Sequence, residues 1–143
     1  MMITLRRLTA DDHEAILALW RRAGLHSIRP EGRDSRESFA EQLAHGQVVL
    51  GLENGGRLVA CVVITDDTRK GWINRLAVDP DYRRQGLAAR LITEAEKEMR
   101  DRGLQVFAAL VESDNAASLS LFQRGGYKTH DIVYVSKRCS EGV

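Results

Sequence analysis

The sequence predicts an α/β domain in which helices flank a single mixed sheet, and three observations carry that prediction. Apolar runs of strand length alternate with segments of helical periodicity in the order β-α-α-β-β-β-α-β-α-β. The strongest helical pattern, Gly86 to Arg102, lies between two apolar runs, Trp72–Val78 and Val106–Val111. The chain is 143 residues long, enough for one domain that buries a real core without disulfide or metal staples.

The elements follow in order. Ile3 to Leu8 alternates in part and reads as the first strand. Thr9-Ala10-Asp11-Asp12 supplies capping residues, after which Ile16, Leu17, Leu19, Trp20 and Ala23 recur at helical spacing until Gly24. Leu25 to Arg33 holds Pro30 and Gly32 and reads as a loop. Asp34 with Glu37 three residues on has the capping-box pattern and opens a short helix with Phe39 and Leu43, ending near Gly46. Val48 to Leu52 is a strand, and Asn54-Gly55-Gly56 is a hairpin turn. Leu58 to Thr65 is apolar and β-branched enough to be central. Asp66 to Gly71 is a polar loop, and Asp79-Pro80 ends the strand Trp72–Val78. In the long helix Leu87, Leu91, Ala95 and Met99 share a face, and Gly103 is the C-terminal stop. Val106 to Val111 reads as a buried strand. Asn115 opens a helix with Leu119, Leu121 and Phe122, closed by Gly125-Gly126, and Tyr127 to Val135 gives a final β segment.

Composition excludes several classes. Hydrophobic residues make up 43% of the chain, too many for wholesale disorder. Lys+Arg 21 against Asp+Glu 20 leaves a net charge of +1, which is no electrostatic footprint for nucleic acid. The two cysteines, Cys61 and Cys139, make neither a disulfide framework nor a four-ligand zinc site, so no metal is expected. The N-terminal stretch Met1 to Arg7 lacks an apolar core of signal-peptide length, and no segment approaches the ~20 apolar residues of a membrane span. A reduced, cytoplasmic protein with no membrane partner is the expectation.

The informative stretch is Val78-Asp79-Pro80-Asp81-Tyr82-Arg83-Arg84-Gln85-Gly86-Leu87-Ala88, where a strand runs through a turn into a strong helix. Gly86 lets backbone approach a ligand closely. The free N–H groups of the first helical turn, with the helix dipole, suit an anion. Arg83 and Arg84 add positive charge there, so a phosphate or pyrophosphate is the natural guest. A solvated arginine pair before an ordinary helix fits the same residues. A nucleotide-phosphate loop is disfavoured, because no lysine follows Gly86.

The segment resembles the acyl-CoA signature of the GNAT superfamily of N-acetyltransferases, (Q/R)-x-x-G-x-(G/A), filled here by Arg83, Gly86 and Ala88. Asn115-Ala116-Ala117 with Leu121-Phe122 and Gly125-Gly126-Tyr127 is similar to the family's second signature, N-x-x-A followed by L-Y and G-(F/Y). The resemblance covers nearly the whole chain and is nearest the small bacterial single-domain members of the YpeA-like type. It implies one GNAT domain over residues 1–143, with a mostly antiparallel mixed sheet splayed between two central parallel strands. Acetyl-CoA would be the co-substrate, lying between the strand ending at Val78 and the strand ending at Val111. Backbone amides of Arg83, Arg84, Gln85, Gly86, Leu87 and Ala88 would cradle the pyrophosphate. The stretch Leu76, Ala77 and Val78 would run beside the pantetheine arm, with Leu76 and Val78 pairing to it. The Val78 N–H would also polarise the thioester carbonyl. Asn115 would bond the pantetheine arm; it equally fits the N-cap of its own helix.

The implied reaction moves an acetyl group to a primary amine, of a small molecule or of a peptide, by direct attack in a ternary complex. Glu112, just past the strand Val106–Val111, is the first candidate for general base, ahead of Asp66, Asp67 and His130. The family usually has tyrosine at the position of Phe122, where it protonates the leaving thiolate; Ser118, Ser120, Tyr127 and Tyr134 are other hydroxyls that would have to serve. The acceptor pocket is expected from the loop Leu25 to Pro30 and the hairpins near Asp66–Lys70 and after Tyr127, with Arg29 as a carboxylate holder. Phe122 keeps open the alternative of a non-catalytic acyl-CoA-binding or sensing module. A monomer or a homodimer is expected.

Overall fold

The computed structural model of the chain describes residues 2–143; Met1, the first residue of the N-terminal stretch, lies outside them. Five strands, β1 Ile3–Arg7, β2 Val48–Asn54, β3 Arg57–Asp66, β4 Gly71–Val78 and β5 Phe107–Ala109, form one sheet in that order. The first four pair antiparallel with their neighbours, and β5 runs parallel to β4. The helices are α1 His13–Arg22, α2 Arg36–Ala44, α3 Leu87–Asp101 and α4 Ala116–Arg124. The α/β class, the helix order and the hairpin at Gly55-Gly56 follow the sequence reading.

Two apolar layers hold the sheet. On one face α3 buries Leu87, Leu91, Ile92, Ala95 and Met99 against Leu50, Leu52, Val62, Ile64 and Ile73. On the other, Ile16, Leu17, Leu19 and Trp20 of α1 and Phe39 of α2 meet Val49, Cys61, Val63 and Ala77. Each buried Val, Leu, Ile, Phe or Met among them contributes roughly 1.5–3 kcal/mol. Gly71 allows α3 to sit directly on β4, since a Cβ there would lie 2.0 Å from the Met99 sulfur. Burial pushes the Cys61 thiol up to about 12, so it packs as an inert hydrophobe.

Four expectations are corrected. Asp34 does not cap α2: Ser35 does, its hydroxyl accepting from the Ser38 N–H at 3.1 Å, and the Asp34 carboxylate is spent on Arg75. The capping box lies instead at Thr9 and Asp12, before α1. The strand Val106–Val111 shortens to β5 and is only half-buried, with Val106 48% and Leu110 62% exposed, because nothing covers its outer side. The β segment Tyr127–Val135 does not form. Tyr127 is held against Phe122 and Glu96, after which residues 128–143 make no backbone–backbone hydrogen bond among the described residues. A β-branched run without a ladder partner has propensity and nothing to pair with. In consequence the parallel pair β4–β5 sits at the edge of the sheet, among the described residues, rather than at its centre.

Candidate active site at the split between β4 and β5

β4 and β5 pair only over Gly71–Ile73 with Phe107–Ala109, and beyond Ile73 the two strands part. A bulge on β4 begins the split. Asn74 faces Val63 and Ala77 faces Cys61, which leaves Arg75 and Leu76 opposite Val62 alone. Arg75 takes φ +47° to make the bulge. The bulge also resets which backbone groups point where. Gly71 donates to Val106 on the β5 side, whereas Asp79 donates to Val59 on the β3 side. Alternation back from Asp79 sends Ala77 toward β3 and turns the N–H and C=O groups of Leu76 and Val78 to the open side.

The turn that follows is shaped to receive an anion. Asp79 accepts from the Asp81 N–H, Pro80–Tyr82 makes one 3-10 turn, and α3 then starts without any side-chain cap. Arg84 and Gly86 both have positive φ, +62° and +78°. A residue other than glycine in that region costs about 1 kcal/mol or more. A Cβ on Gly86 would meet nothing within 4 Å, so its lack of a side chain answers to backbone shape and to whatever approaches from outside. The first-turn N–H groups of α3 therefore open to solvent beside two arginines. Arg83 donates to the Ala23 carbonyl at 3.2 Å, which ties it to the end of α1, while Arg84 makes no ion pair among the described residues.

Two ion-pair clusters, silent in the sequence, brace this region. Asp79 is 2% exposed and accepts from Arg22 at 3.0 Å and Arg57 at 3.3 Å. Burial works to raise its carboxyl, but the Asp81 N–H and the two guanidinium groups outweigh it and hold the group below the usual carboxylate value. Arg75 grips Asp34 with two bonds of 3.0 and 3.1 Å while its guanidinium lies 4.4 Å from the Trp20 ring centre. That grip fastens the loop before α2 to the bulge of β4. No spacing rule marks Arg75, Arg22 or Arg57; only the short turn Asp79-Pro80 hinted at a special role.

The other expected residues fall at the ends of β5 and α4. Asn115 is the N-cap of α4, its side-chain oxygen accepting from Ser118 N–H at 3.1 Å, so that reading holds. Phe122 is 8% exposed and meets Tyr127 edge-on, ring centres 5.1 Å apart. The Tyr127 hydroxyl donates to Glu96 at 2.7 Å; burial and that carboxylate raise its pKa. Ser120 accepts from Arg124, and Tyr134 is 69% exposed in the C-terminal segment. Glu112 is exposed, three residues past β5. Asp66 bonds Arg102 at 2.7 Å, and Asp67 accepts from the Lys70 and Arg69 N–H groups; these partners hold both carboxyls low and commit them to the β3–β4 turn. His130 is exposed and distant in sequence from the split. Arg29 donates to its neighbour's carbonyl, and its Nε is buried without a partner.

The chain is similar to known proteins. The sequence model of the acetyltransferase (GNAT) family matches residues 9–127. An acetyltransferase of Pectobacterium atrosepticum is 32% identical over 138 residues, covering 96% of each chain. An uncharacterized N-acetyltransferase of Yersinia pestis is 31% identical over 135 residues, 94% of each. Among solved structures, the PaiA N-acetyltransferase of Thermoplasma acidophilum in complex with coenzyme A shares the fold with a TM-score of 0.82 at 22% identity, over 93% of this chain and 94% of that one. The ribosomal-protein-S18-alanine N-acetyltransferase of Escherichia coli superimposes with a TM-score of 0.78 at 25% identity, over 91% of this chain and 80% of that one. Matched along most of its length by the family and by relatives above 30% identity, the chain belongs to the GNAT family and is an acetyltransferase.

Proposed function

We propose that residues 1–143 form a single catalytic domain that transfers the acetyl group of acetyl-CoA to a primary amine. The carrying observation is the uncapped start of α3 beside the open edge of β4. The pyrophosphate fits the amides from Arg83 to Ala88, where Gly86 leaves open space and Arg84 has charge to spare. The pantetheine arm, itself amide-bearing, then adds along β4 as a strand would, on the outward groups of Leu76 and Val78. Asn115 has spent its oxygen as a cap and keeps its NH2 for that arm or the thiol end.

The amine nitrogen attacks the thioester carbonyl while the Val78 N–H stabilises the developing oxyanion. The new C–N bond forms, the C–S bond breaks, and the electron pair leaves on sulfur. The surplus nitrogen proton passes to Glu112, directly or through water. A lysine-type amine titrates near ~10.4, so this removal is needed at neutral pH. Phe122 offers the leaving sulfur no proton, and a thiol of pKa near ~8.5 departs as thiolate.

Acetyl-CoA at a hundredfold excess over its Kd should raise the melting temperature by roughly 5–10 °C. Gly86→Asp sets a negative charge at the pyrophosphate and should abolish that shift, whereas Gly86→Ala, with the same backbone strain and no charge, should keep part of it. An undiminished shift in folded Gly86→Asp removes the assignment. Release of free CoA across a panel of amines then separates a catalyst from a module that only binds acyl-CoA.

A further inference from the structure

The loop before α2 holds a half-buried guanidinium that no acid balances. The Arg29 main chain is well fixed: its N–H donates to Asp34 Oδ2 at 2.7 Å, and its carbonyl accepts from the Gly32 and Asp34 N–H groups at 3.0 and 2.9 Å. The side chain is fixed by almost nothing. Nη1 donates to the Ile28 carbonyl at 3.3 Å, Nε is buried without a partner, and Nη2 bonds nothing among the described residues. Glu31, two residues on, is exposed and makes no ion pair with it. The neighbouring cations are engaged: Arg33 donates to the Ser27 carbonyl at 3.0 Å, and Arg75 holds both oxygens of Asp34. A charge drawn partly out of water costs free energy until an opposite charge meets it.

Asp34 also fixes where this group sits. Its Oδ2 accepts from the Arg29 N–H and, at 3.1 Å, from Nη2 of Arg75, the residue whose bulge begins the split. Arg29 is therefore one shared oxygen away from the place where β4 opens. We propose that the acceptor amine carries a carboxylate, and that Arg29 holds this carboxylate while the amine reaches the thioester. A guanidinium is planar and presents its N–H donors as a fork that matches a carboxylate. One guanidinium balances one negative charge, which fits a carboxylate and leaves a phosphate dianion half-neutralised. The proposal rests on the acetyl-transfer reading and names the class of amine that such a transfer serves.

CoA release is measured with ω-amino acids of increasing length, each against its own primary amide, and with dipeptides bearing Asp against Asn at the second position. The amide keeps the reacting amine and removes the charge. kcat/KM should favour the acid by roughly ten- to a hundredfold, carried by KM, in the first set if the carboxylate belongs to a free amino acid and in the second if it belongs to a peptide. Arg29→Met should bring the acid down to the level of its amide, with the thermal shift by acetyl-CoA retained. Arg29→Lys, which keeps the charge without the fork, should retain part of the preference. Both variants should melt with the parent, because the main chain of Arg29 ties the loop. Titration calorimetry on the CoA-loaded protein reads the same preference without turnover. Acids and amides that bind and react alike overturn the proposal and leave acetyl transfer standing. An Arg29→Met variant that loses acid and amide by the same factor overturns it too, as does a preference for phosphoethanolamine over every ω-amino acid. CoA released from no amine defeats the acetyl-transfer reading instead, and the calorimetric preference with its loss in Arg29→Met then decides the carboxylate site by itself.

Discussion

β3 and β5 belong to one sheet and could hardly be less alike. β3 runs ten residues, pairs on both sides and is buried on both faces from Leu58 to Ile64. β5 runs three residues, pairs on one side and is nowhere fully buried. The difference separates the work of folding from the work of chemistry. From Leu58 to Ile64 the β3 side chains are buried in the two layers, and the strand's backbone pairs with β2 and β4. The residues proposed for acyl transfer stand where those bonds run out, on the unpaired half of β4, at the uncapped start of α3 and on the chain leaving β5. Binding edges are drawn from such thinly held regions.

The comparison breaks if substitutions on the two sides have the same effect. The largest expected separation is at Glu112. Glu112→Gln keeps the shape and removes the basicity, so turnover should fall by about 10²–10⁴ at neutral pH, with acetyl-CoA binding and melting temperature unchanged. The loss should shrink at high pH, where more amine is already neutral. A pH–rate profile that overlays the parent would show Glu112 to be a solvated loop residue. Ile64→Ala should do the reverse. It opens a cavity in a fully buried position and should cost about 2–5 kcal/mol in denaturant unfolding, with kcat of the remaining folded protein unchanged.

A smaller effect is expected at Asp79, which belongs to both sides. Its carboxyl is held below the ordinary value, so its ionised form adds stability above the unfolded pKa of ~3.9, and that stability is lost as pH falls through the folded value. Asp79→Asn should therefore lower stability at pH 7 and flatten the acid limb of the stability profile below about pH 4. An acid limb of unchanged slope would mean that Arg22 and Arg57 contribute nothing there. The smallest effect is expected at Phe122. Phe122→Tyr should keep or raise acetyl transfer, while a buried hydroxyl without a partner costs on the order of 1–3 kcal/mol of stability. Lower activity at normal stability would show that another group already protonates the leaving sulfur.

What the sequence disclosed and what it hid divide along the same line. Short-range rules read the periodicity of α3, the turn at Gly55-Gly56, the cap at Asn115 and the Gly86 helix start, because each is settled by neighbours within a few residues. The Asp34 cap failed because a carboxylate that could serve its own helix found Arg75, 41 residues away, in a better geometry. The length of β5 and the loss of the last β segment were hidden for a related reason: strand formation depends on a partner, and the Ile132–Val135 run does not disclose whether one is present. Asp79 looked like a strand terminator and is a buried anchor, since its partners Arg22 and Arg57 come from elements that sequence alone does not bring together.

The Arg75 bulge has a consequence for how the chain tolerates change in length rather than in composition. Gly71 and Ile73 lie on the α3 face, and so do Leu76 and Val78, although the numbering has shifted from odd to even; Arg75 and Ala77 lie on the other face. The strand thus carries two reading frames joined at one inserted residue. Deleting Arg75 would merge them. Leu76 would then face Val62 and Ala77 would face Cys61 in an unbroken ladder, so the apolar side chains would keep their layers, and what would be lost is the bulge itself with the grip of Arg75 on Asp34 and Trp20. One codon's worth of deletion would therefore straighten β4 and release the loop before α2 while leaving every apolar residue of the strand in its own layer.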